Sequence, residues 1–283
     1  MNVKIISAIL ALALIPLASM ACGFSVDLPQ MPKTGPTVTD EIMVADPKSD
    51  ETRLSLMFGA GELILSPGAE GFVEGTAAYN LDDLKPEVTS KDGAVQIKQG
   101  GIEKYAPFNE LENTWDFKLG NMPVDLSIEA GAYKGRFDLG GLSLSSLTIK
   151  DGAADVELSF SEPNATEMSI LRYETGASNV KLSGLANANF TSLIFNSGAG
   201  DYTLDFSGEL QRDATVNLSS GLSNVILIIP EGVNAEVTVE GGFKNVSAGP
   251  GWSQSGDVYT QEGDGPTLTF VIEMGAGNLT LTK

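Results

Sequence analysis

The chain has 283 residues, no histidine, and 37 acidic against 17 basic side chains, so its formal net charge is -20. Nucleic acid is an unfavourable partner for such an acidic protein, because the phosphate backbone would repel it. The lack of histidine excludes catalytic triads that contain it, histidine-ligated metal centres and histidine pH switches.

Residues 1–22 have the pattern of a targeting segment rather than of a folded element. Lys4 precedes an apolar stretch, and small residues come before Cys22, the only cysteine of the chain. The position of Cys22 resembles the acylated cysteine of bacterial lipoproteins, although that class prefers Leu where Ser19 stands and a small residue where Met20 stands. Lipidation of Cys22 is therefore the prediction, with a secreted chain carrying a free thiol or an uncleaved membrane anchor as alternatives. With a single cysteine, no disulfide can form within the chain.

Residues 23–50 are predicted to be a flexible tether. They contain four prolines and few large apolar residues, so they cannot bury enough surface to order themselves. Residues 51–122 are predicted to form a β-rich amino-terminal module that begins or caps the repetitive domain of residues 123–283, since terminal repeats are often atypical.

One phrase recurs along the chain, and its clearest copy spans residues 193–204. In each copy, apolar residues occupy alternate positions up to the bend. A glycine, an apolar residue and one further residue then precede a position that we call the anchor, and the alternation resumes after it. The anchors are Glu62, Lys134, Asp155, Asn179, Asp201, Asn224, Asn245 and Asn278, and the glycines are Gly59, Gly131, Gly152, Gly176, Gly198, Gly221, Gly242 and Gly275. From Lys134 onward the anchors lie 21, 24, 22, 23, 21 and 33 residues apart. A period near 22 is typical of a stacked fold.

The alternating runs predict strands with one buried face, and the phrase between them predicts a bend. We expect Gly198 to adopt a left-handed conformation there. An exposed hairpin tip would be polar, whereas the residue after each glycine is apolar, which favours a corner pointing into a core. The favoured fold is therefore an all-β, repetitive β-solenoid with coils of about 22 residues. A sandwich or barrel of hairpins is the alternative.

In a solenoid the anchors would stack about 4.8 Å apart and form a ladder. Because Asp155 and Asp201 alternate with asparagines, the amides can hydrogen-bond along it. Residues 247–266, which fill the longest spacing, are expected to be a surface loop. Trp252 and Tyr259 in it are a candidate partner-binding pair, or they cover the end of the core.

No catalytic residue, cofactor or metal site is predicted. The glycine-aspartate corners lack the nine-residue period of calcium-binding rolls, and the first glycine pair lacks the Lys-Ser/Thr of a phosphate loop. Glu157, Glu174 and Asp205 face outward by alternation, as does Lys181, but nothing in the sequence brings them together.

Three stretches resemble the toast-rack family of bacterial envelope proteins: Asp125-Leu126-Ser127-Ile128-Glu129-Ala130-Gly131-Ala132, Gly198-Ala199-Gly200-Asp201-Tyr202-Thr203-Leu204-Asp205-Phe206 and Met274-Gly275-Ala276-Gly277-Asn278-Leu279-Thr280-Leu281. More loosely, the resemblance extends to putative-adhesin domains of unknown function and to the carboxy-terminal domain of LiaF-type regulators. It covers roughly residues 51–283 and implies a repetitive β fold outside or beside the membrane. These families have no agreed catalytic residues to transfer, and the chain lacks the transmembrane helices of the LiaF type.

The sequence therefore predicts an exported, lipid-anchored and non-catalytic surface interaction or scaffold module on the outer face of the membrane, adhesin-like in character. Its expected partners are the membrane, through the anchor, and another envelope protein or a glycan. One alternative is an envelope-stress accessory that binds a membrane sensor protein. Another is a carbohydrate-active enzyme, since β-helices also host polysaccharide lyases.

Overall fold

The computed structural model describes residues 34–49, 52–101, 110–241 and 245–283. Nearly all regular structure in them is β. The strands are β1 (Val38–Val44), β2 (Arg53–Pro67), β3 (Val73–Tyr79), β4 (Pro86–Lys91), β5 (Ala94–Gln99), β6 (Asn113–Leu119), β7 (Val124–Asp138), β8 (Leu144–Ser159), β9 (Met168–Ser183), β10 (Phe190–Asp205), β11 (Ala214–Ile228), β12 (Gly232–Glu240), β13 (Val246–Ala248), β14 (Ser253–Ser255), β15 (Val258–Gln261) and β16 (Gly263–Thr282). Two short 3-10 helices lie at Asp82–Leu84 and Leu185–Ala188.

The long strands stack in parallel and in register, in the order β2, β7, β8, β9, β10, β11, β16. Equivalent residues of the phrase are direct neighbours; Leu171, for example, pairs with Leu147 on one side and with Leu193 on the other. Consecutive hairpins would make these pairs antiparallel, so the sandwich of hairpins is excluded. The all-β repetitive solenoid is confirmed, and antiparallel pairs occur at the two ends of the stack.

Each coil is built around one long strand that turns in its middle. In β10 the buried positions are Leu193 and Phe195 before the corner but Tyr202 and Leu204 after it, so the alternation slips by one residue. The rings of Phe195 and Tyr202 lie 5.1 Å apart across the corner. Both halves of the strand therefore bury their apolar side chains in the same core.

The core lies between a layer of first halves and a layer of second halves. Phe206, just after the second half of β10, contacts Phe270 in the first half of β16, with their ring centroids 5.0 Å apart. One hydrophobic cluster runs from Ile42 to Leu281 through both layers. The amino-terminal module shares this core, because β2 pairs with β7 from Arg53 to Leu65.

The tether prediction is wrong for residues 38–44. These residues form β1, which pairs antiparallel with β3 and buries Ile42 and Val44. The composition correctly indicated an extended chain, but an extended chain next to an open sheet edge gains backbone hydrogen bonds and becomes a strand. Only the tertiary structure provides that edge.

The stacking order departs from chain order at the carboxy-terminal end. β16, the last strand, lies between β11 and β12, so Val216 pairs with Phe270 and Phe270 pairs with Val237. In consequence Asn278 follows Asn224 in the ladder, and Asn245 comes after Asn278. Sequence spacing alone implied the opposite order, because it treats neighbouring repeats as neighbouring coils.

Candidate interaction surfaces

The corner glycines form one continuous row because there is no room for a side chain between stacked coils. A Cβ on Gly198 would lie 2.5 Å from the carbonyl oxygen of Gly176, and one on Gly221 would lie 2.5 Å from that of Gly198. The row comprises Gly59, Gly131, Gly152, Gly176, Gly198, Gly221 and Gly275. Gly242 lies outside the described residues. The left-handed expectation for Gly198 is wrong: the positive φ of this corner belongs to Gly200, at 151°.

The residue after each corner glycine does not point into the core, contrary to the prediction. Ala132, Ala153, Ala177, Leu222 and Ala276 are exposed, whereas Ala60 and Ala199 are half-buried. Phe243, which was assigned the same role, lies outside the described residues. The slip in alternation explains the error. Because of it, the residue immediately before each glycine and the second residue after it face the interior.

In the middle coils, β8 to β11, these inward positions are mostly polar, which the pattern of apolar residues did not indicate. Asp151 accepts a hydrogen bond from the Tyr173 hydroxyl at 2.8 Å and a longer one from Tyr133 at 3.4 Å. It also accepts from Thr175, whose hydroxyl lies 2.6 Å from that of Ser178. Burial, reinforced by the charge of Asp151, raises the pKa of both Tyr133 and Tyr173 well above the ordinary tyrosine value. Tyr173 therefore acts as a neutral donor to the carboxylate, and these hydroxyls compensate a charge near the core.

Hydroxyls continue this lining in the following coils. Ser197 donates to Ser220 at 3.0 Å, and Ser220 and Ser223 lie 2.5 Å apart within one corner. Each small polar side chain satisfies another from inside the turn.

The anchor residues form an exposed ladder on the outside of the corner, hereafter the anchor ladder. Adjacent coils pair Asp155 with Asn179, Asn179 with Asp201, Asp201 with Asn224 and Asn224 with Asn278. Asn224 donates its amide to Asp201 at 2.8 Å, and Asn278 donates to Asn224 at 2.6 Å. Asn245 adds the last rung, since its amide donates to Asn278.

Several charged side chains on the outer faces pair with neighbours of opposite sign. Arg136 lies 3.4 Å from Asp155 and 3.8 Å from Glu157, and Lys150 lies 3.5 Å from Glu174. Glu157 and Lys181 are cross-strand neighbours in the second halves of the coils, whereas Glu174 belongs to the first halves. Asp205 accepts a hydrogen bond from the backbone of Ser207. The fold thus does not gather these acids, and the described residues contain no group of three metal-ligating side chains.

Two exposed aliphatic side chains, which the sequence analysis did not identify as a pair, interrupt the polar surface of β11. Leu222 is 64% exposed and Ile226 is 39% exposed, with the ladder residue Asn224 between them. Leu222 is flanked by Ala199 and Ala276, and Ile226 by Thr203 and Thr280. We call Leu222 and Ile226, together with these small neighbours, the β11 patch.

At the first complete coil, amide side chains take the place of a missing backbone neighbour. Gln99 accepts a hydrogen bond from the Gly59 backbone at 2.8 Å, and Asn113 donates to the Ala60 carbonyl at 2.7 Å and to Gln99 at 2.9 Å. The corner of β2 is thereby closed without a further coil. An open surface cavity of about 560 Å³ lies beside it, lined by Phe58, Lys98 and Glu129 among others.

The predicted loop of residues 247–266 is largely strand. β14 and β15 form a hairpin that pairs with β12, and Tyr259 is buried in the core. Trp252 is half-buried against the same core. Gln254 donates to the Tyr259 hydroxyl at 3.0 Å. The two aromatic residues thus lie where they cover the end of the core.

Cys22 lies outside the described residues, so its lipidation stays a prediction. Within the ranges that the structure describes, no helix has the length and apolar character needed to cross a bilayer.

The fold and its surfaces define an all-β stack of in-register coils with a polar ladder along one edge. Residues 33–171 match the family described as the N-terminal domain of toast_rack, DUF2154. This match confirms the resemblance to the toast-rack family over that part of the chain. No curated protein matches the chain significantly.

Several solved bacterial structures are similar to this chain. A "putative cell adhesion protein" from Clostridium sporogenes is 21% identical, with a TM-score of 0.49, covering 87% of this chain and 99% of its own. A "putative adhesin" from Parabacteroides merdae is 10% identical, with a TM-score of 0.42, covering 89% and 99%. A "putative lipid binding protein" from Parabacteroides distasonis is 12% identical, with a TM-score of 0.38, covering 87% and 97%.

Proposed function

We propose that this protein is an exported, non-catalytic interaction module of the bacterial envelope, anchored through a lipid on Cys22, and that the β11 patch binds a protein partner. The observation that carries the proposal is the exposed pair Leu222 and Ile226 in the middle of a rigid polar face. Contiguous apolar patches rimmed by polar groups mark interaction sites.

The surroundings of the patch suit recognition of a folded or extended protein. Both neighbours of β11 are paired strands, so the two side chains keep a fixed separation of about 13 Å along the strand. Asn224, which lies between the two side chains, and its neighbour Asp201 supply hydrogen-bonding groups within the patch. Apolar contacts combined with hydrogen bonds are the usual anatomy of a protein interface.

A glycan is the less favoured partner because no aromatic ring is among the large exposed apolar side chains of the described residues. Among the described residues, the exposed large apolar side chains are all aliphatic: Val38, Met43, Val88, Leu222 and Ile226. Sugar rings pack best on flat aromatic faces, which bring large contact area at small entropic cost. The envelope-stress accessory is compatible with the same surface, since its partner would also be a protein.

The anchoring part of the proposal is tested by mass spectrometry of the mature amino terminus. A diacyl or triacyl group on Cys22 is the expected result, and Cys22→Ser should release the chain from the membrane fraction. An unmodified terminus that begins elsewhere, or a free Cys22 thiol, would contradict anchoring while leaving the β11 patch to be judged separately.

The binding part is tested by capture from detergent-solubilised envelope membranes on the immobilised full-length chain. The double variant Leu222→Ser/Ile226→Ser should lose a captured protein about tenfold or more, because two central apolar contacts typically contribute over 1 kcal/mol each. The matched control is Val38→Ser/Met43→Ser, which removes two exposed apolar side chains from β1 and should leave capture unchanged. Equal capture by all three proteins would contradict the proposal, as would glycan binding that survives loss of the β11 patch.

A further inference from the structure

We propose that two copies of this chain associate edge to edge through β4, which pairs with β4 of the second copy in antiparallel orientation about Thr89. The proposal concerns the opposite end of the stack from the β14–β15 hairpin and is independent of the partner-binding function.

The first observation is that β4 is an open sheet edge of useful length. It pairs with β5 and with no other described strand. Its five residues from Glu87 to Lys91 are all exposed, unlike those of β5, where Val95 and Ile97 are buried. The edges at the other end of the stack, β13 and β14, have only three residues each. Short edge strands discourage further pairing, so a longer edge such as β4 is better suited to it.

The second observation is the direction of the backbone groups along β4. The turn at Asp92 and Gly93, with φ of 48° and 79°, joins the pair Lys91 and Ala94, and the Gly100 backbone donates to the Lys85 carbonyl at 3.2 Å. In an antiparallel pair hydrogen-bonded positions alternate, so residues 85, 87, 89 and 91 bond towards β5. The N–H and C=O groups of Val88 and Ser90 consequently point away from the sheet. No described strand pairs with them, so they can bond a strand of another copy.

The third observation is that β4 is complementary to itself. Antiparallel pairing about Thr89 places Val88 opposite Ser90 of the second copy, and the outward groups of these residues then form four backbone hydrogen bonds across the two-fold axis. In the same register Glu87 of each copy faces Lys91 of the other. Opposite charges directly across an antiparallel pair stabilise it, whereas like charges would oppose it.

Charge also separates β4 from the other long edge. Residues 85–99 contain three lysines and two acids, in a chain whose net charge is -20. In β1, by contrast, Asp40 and Glu41 are the only charged residues, so self-pairing would bring carboxylates together. Val88 is 43% exposed, and a strand added at this edge would cover it. A single strand pair is a small interface, and we therefore expect a weak dimer.

Disulfide trapping in the full-length chain tests the geometry directly. The variant Thr89→Cys, made in a Cys22→Ser background, should give a covalent dimer on non-reducing gels after mild oxidation, because residues opposite each other at a non-hydrogen-bonded pair have Cα atoms about 4.5 Å apart. Ser90→Cys in the same background is the control. Its thiol would face Val88 of the second copy, so it should yield little dimer.

A proline variant and two charge reversals separate edge pairing from chance contact. Val88→Pro removes an outward N–H while leaving the β4–β5 bonds intact, and it should abolish trapping by Thr89→Cys without lowering the melting temperature. Either Glu87→Lys or Lys91→Glu alone should weaken trapping by about tenfold. Mixing these two single variants should restore trapping in the mixed dimer, and the double variant Glu87→Lys/Lys91→Glu should restore it as well. The control Glu209→Lys should leave trapping unchanged.

The proposal would be overturned by trapping that is equal for Thr89→Cys and Ser90→Cys. It would equally be overturned by trapping that persists in the Val88→Pro variant, or by charge reversals that show no rescue when combined. If Thr89→Cys stays monomeric at all concentrations from about 1 µM to about 1 mM, the edge does not self-associate.

Discussion

At the scale of single residues, the corner position illustrates how one pattern can have two physical causes. A recurrent glycine indicates either a left-handed backbone or close approach of another chain. At Gly198 the second cause applies, since the carbonyl of Gly176 occupies the space of a Cβ. At Gly200 both apply, because its φ is 151° and a Cβ would lie 1.8 Å from the carbonyl oxygen of Ser178.

Gly198→Val tests this reading of the corner. The added side chain must push the two coils apart, and we expect the free energy of unfolding to fall by about 1–3 kcal/mol, the usual cost of overpacking. Chemical denaturation provides the measurement. The control is Ala177→Val, an exposed position in the preceding coil, for which the expected change is within about 0.5 kcal/mol. Equal effects at the two positions would argue against close packing of the glycine row.

At the level of the secondary-structure element, interactions at the end of each long strand must stop the strand and lead the chain to the next coil. β7 ends at Asp138, which accepts hydrogen bonds from the Ser161 hydroxyl at 2.8 Å and from the Gly140 backbone at 3.1 Å. Partial burial alone would raise the pKa of Asp138, but the hydrogen bonds from Ser161, Gly140 and Ser159 outweigh it and leave the pKa below its ordinary value of 3.8. The ionised carboxylate of Asp138 therefore links the chain segment that follows β7 to the segment that follows β8.

The pH dependence of stability checks the role of Asp138. Because its pKa is lower in the folded than in the unfolded chain, its stabilising contribution is complete above the unfolded value and is lost as the pH falls through the folded value. Asp138→Asn should thus be less stable than the parent at pH about 6, and the difference should shrink on acidification below pH about 4. Glu209→Gln removes the same charge at an exposed site and serves as control. A difference that is constant across this pH range would exclude the carboxylate as its source.

At the scale of the whole molecule, stability should depend on position in the stack. Coils in the middle have neighbours on both sides, whereas end strands have one, and repeat proteins open from their ends. β16 is a special case, because it is last in the chain yet lies between β11 and β12. Neighbours on both sides should protect it despite its terminal position.

Hydrogen exchange would show whether this order holds. We expect backbone amides of β9, β10, β11 and β16 to exchange slowest, and those of β1 and β14 to exchange fastest. The comparison of β16 with β14 is the informative one, since chain position and stack position predict opposite results for them. Faster exchange in β16 than in β14 would contradict the strand order found here.

The sequence determined the elements and the corner phrase, because period-two alternation and the recurring glycine are local properties. The ladder was also foreseeable, since equal spacing in parallel strands places equal positions side by side. The interior of the corner was not foreseeable, because the pattern of apolar residues does not reveal where the alternation shifts. The hydroxyls around Asp151 were therefore not predicted, and Leu222 was predicted to face the core although it is exposed.

Three further features were decided only by the tertiary structure. Residues 38–44 form the strand β1 because the open edge of β3 supplies its hydrogen-bonding partners. The strand β16 lies between β11 and β12, although β12 precedes it in the chain. The open edge of β4, the third feature, exists because its turn bonds one set of backbone groups to β5 and leaves the other set unpaired. Local sequence encodes conformation and the preference for burial. Which backbone groups find partners depends on long-range pairing, which no single segment specifies by itself.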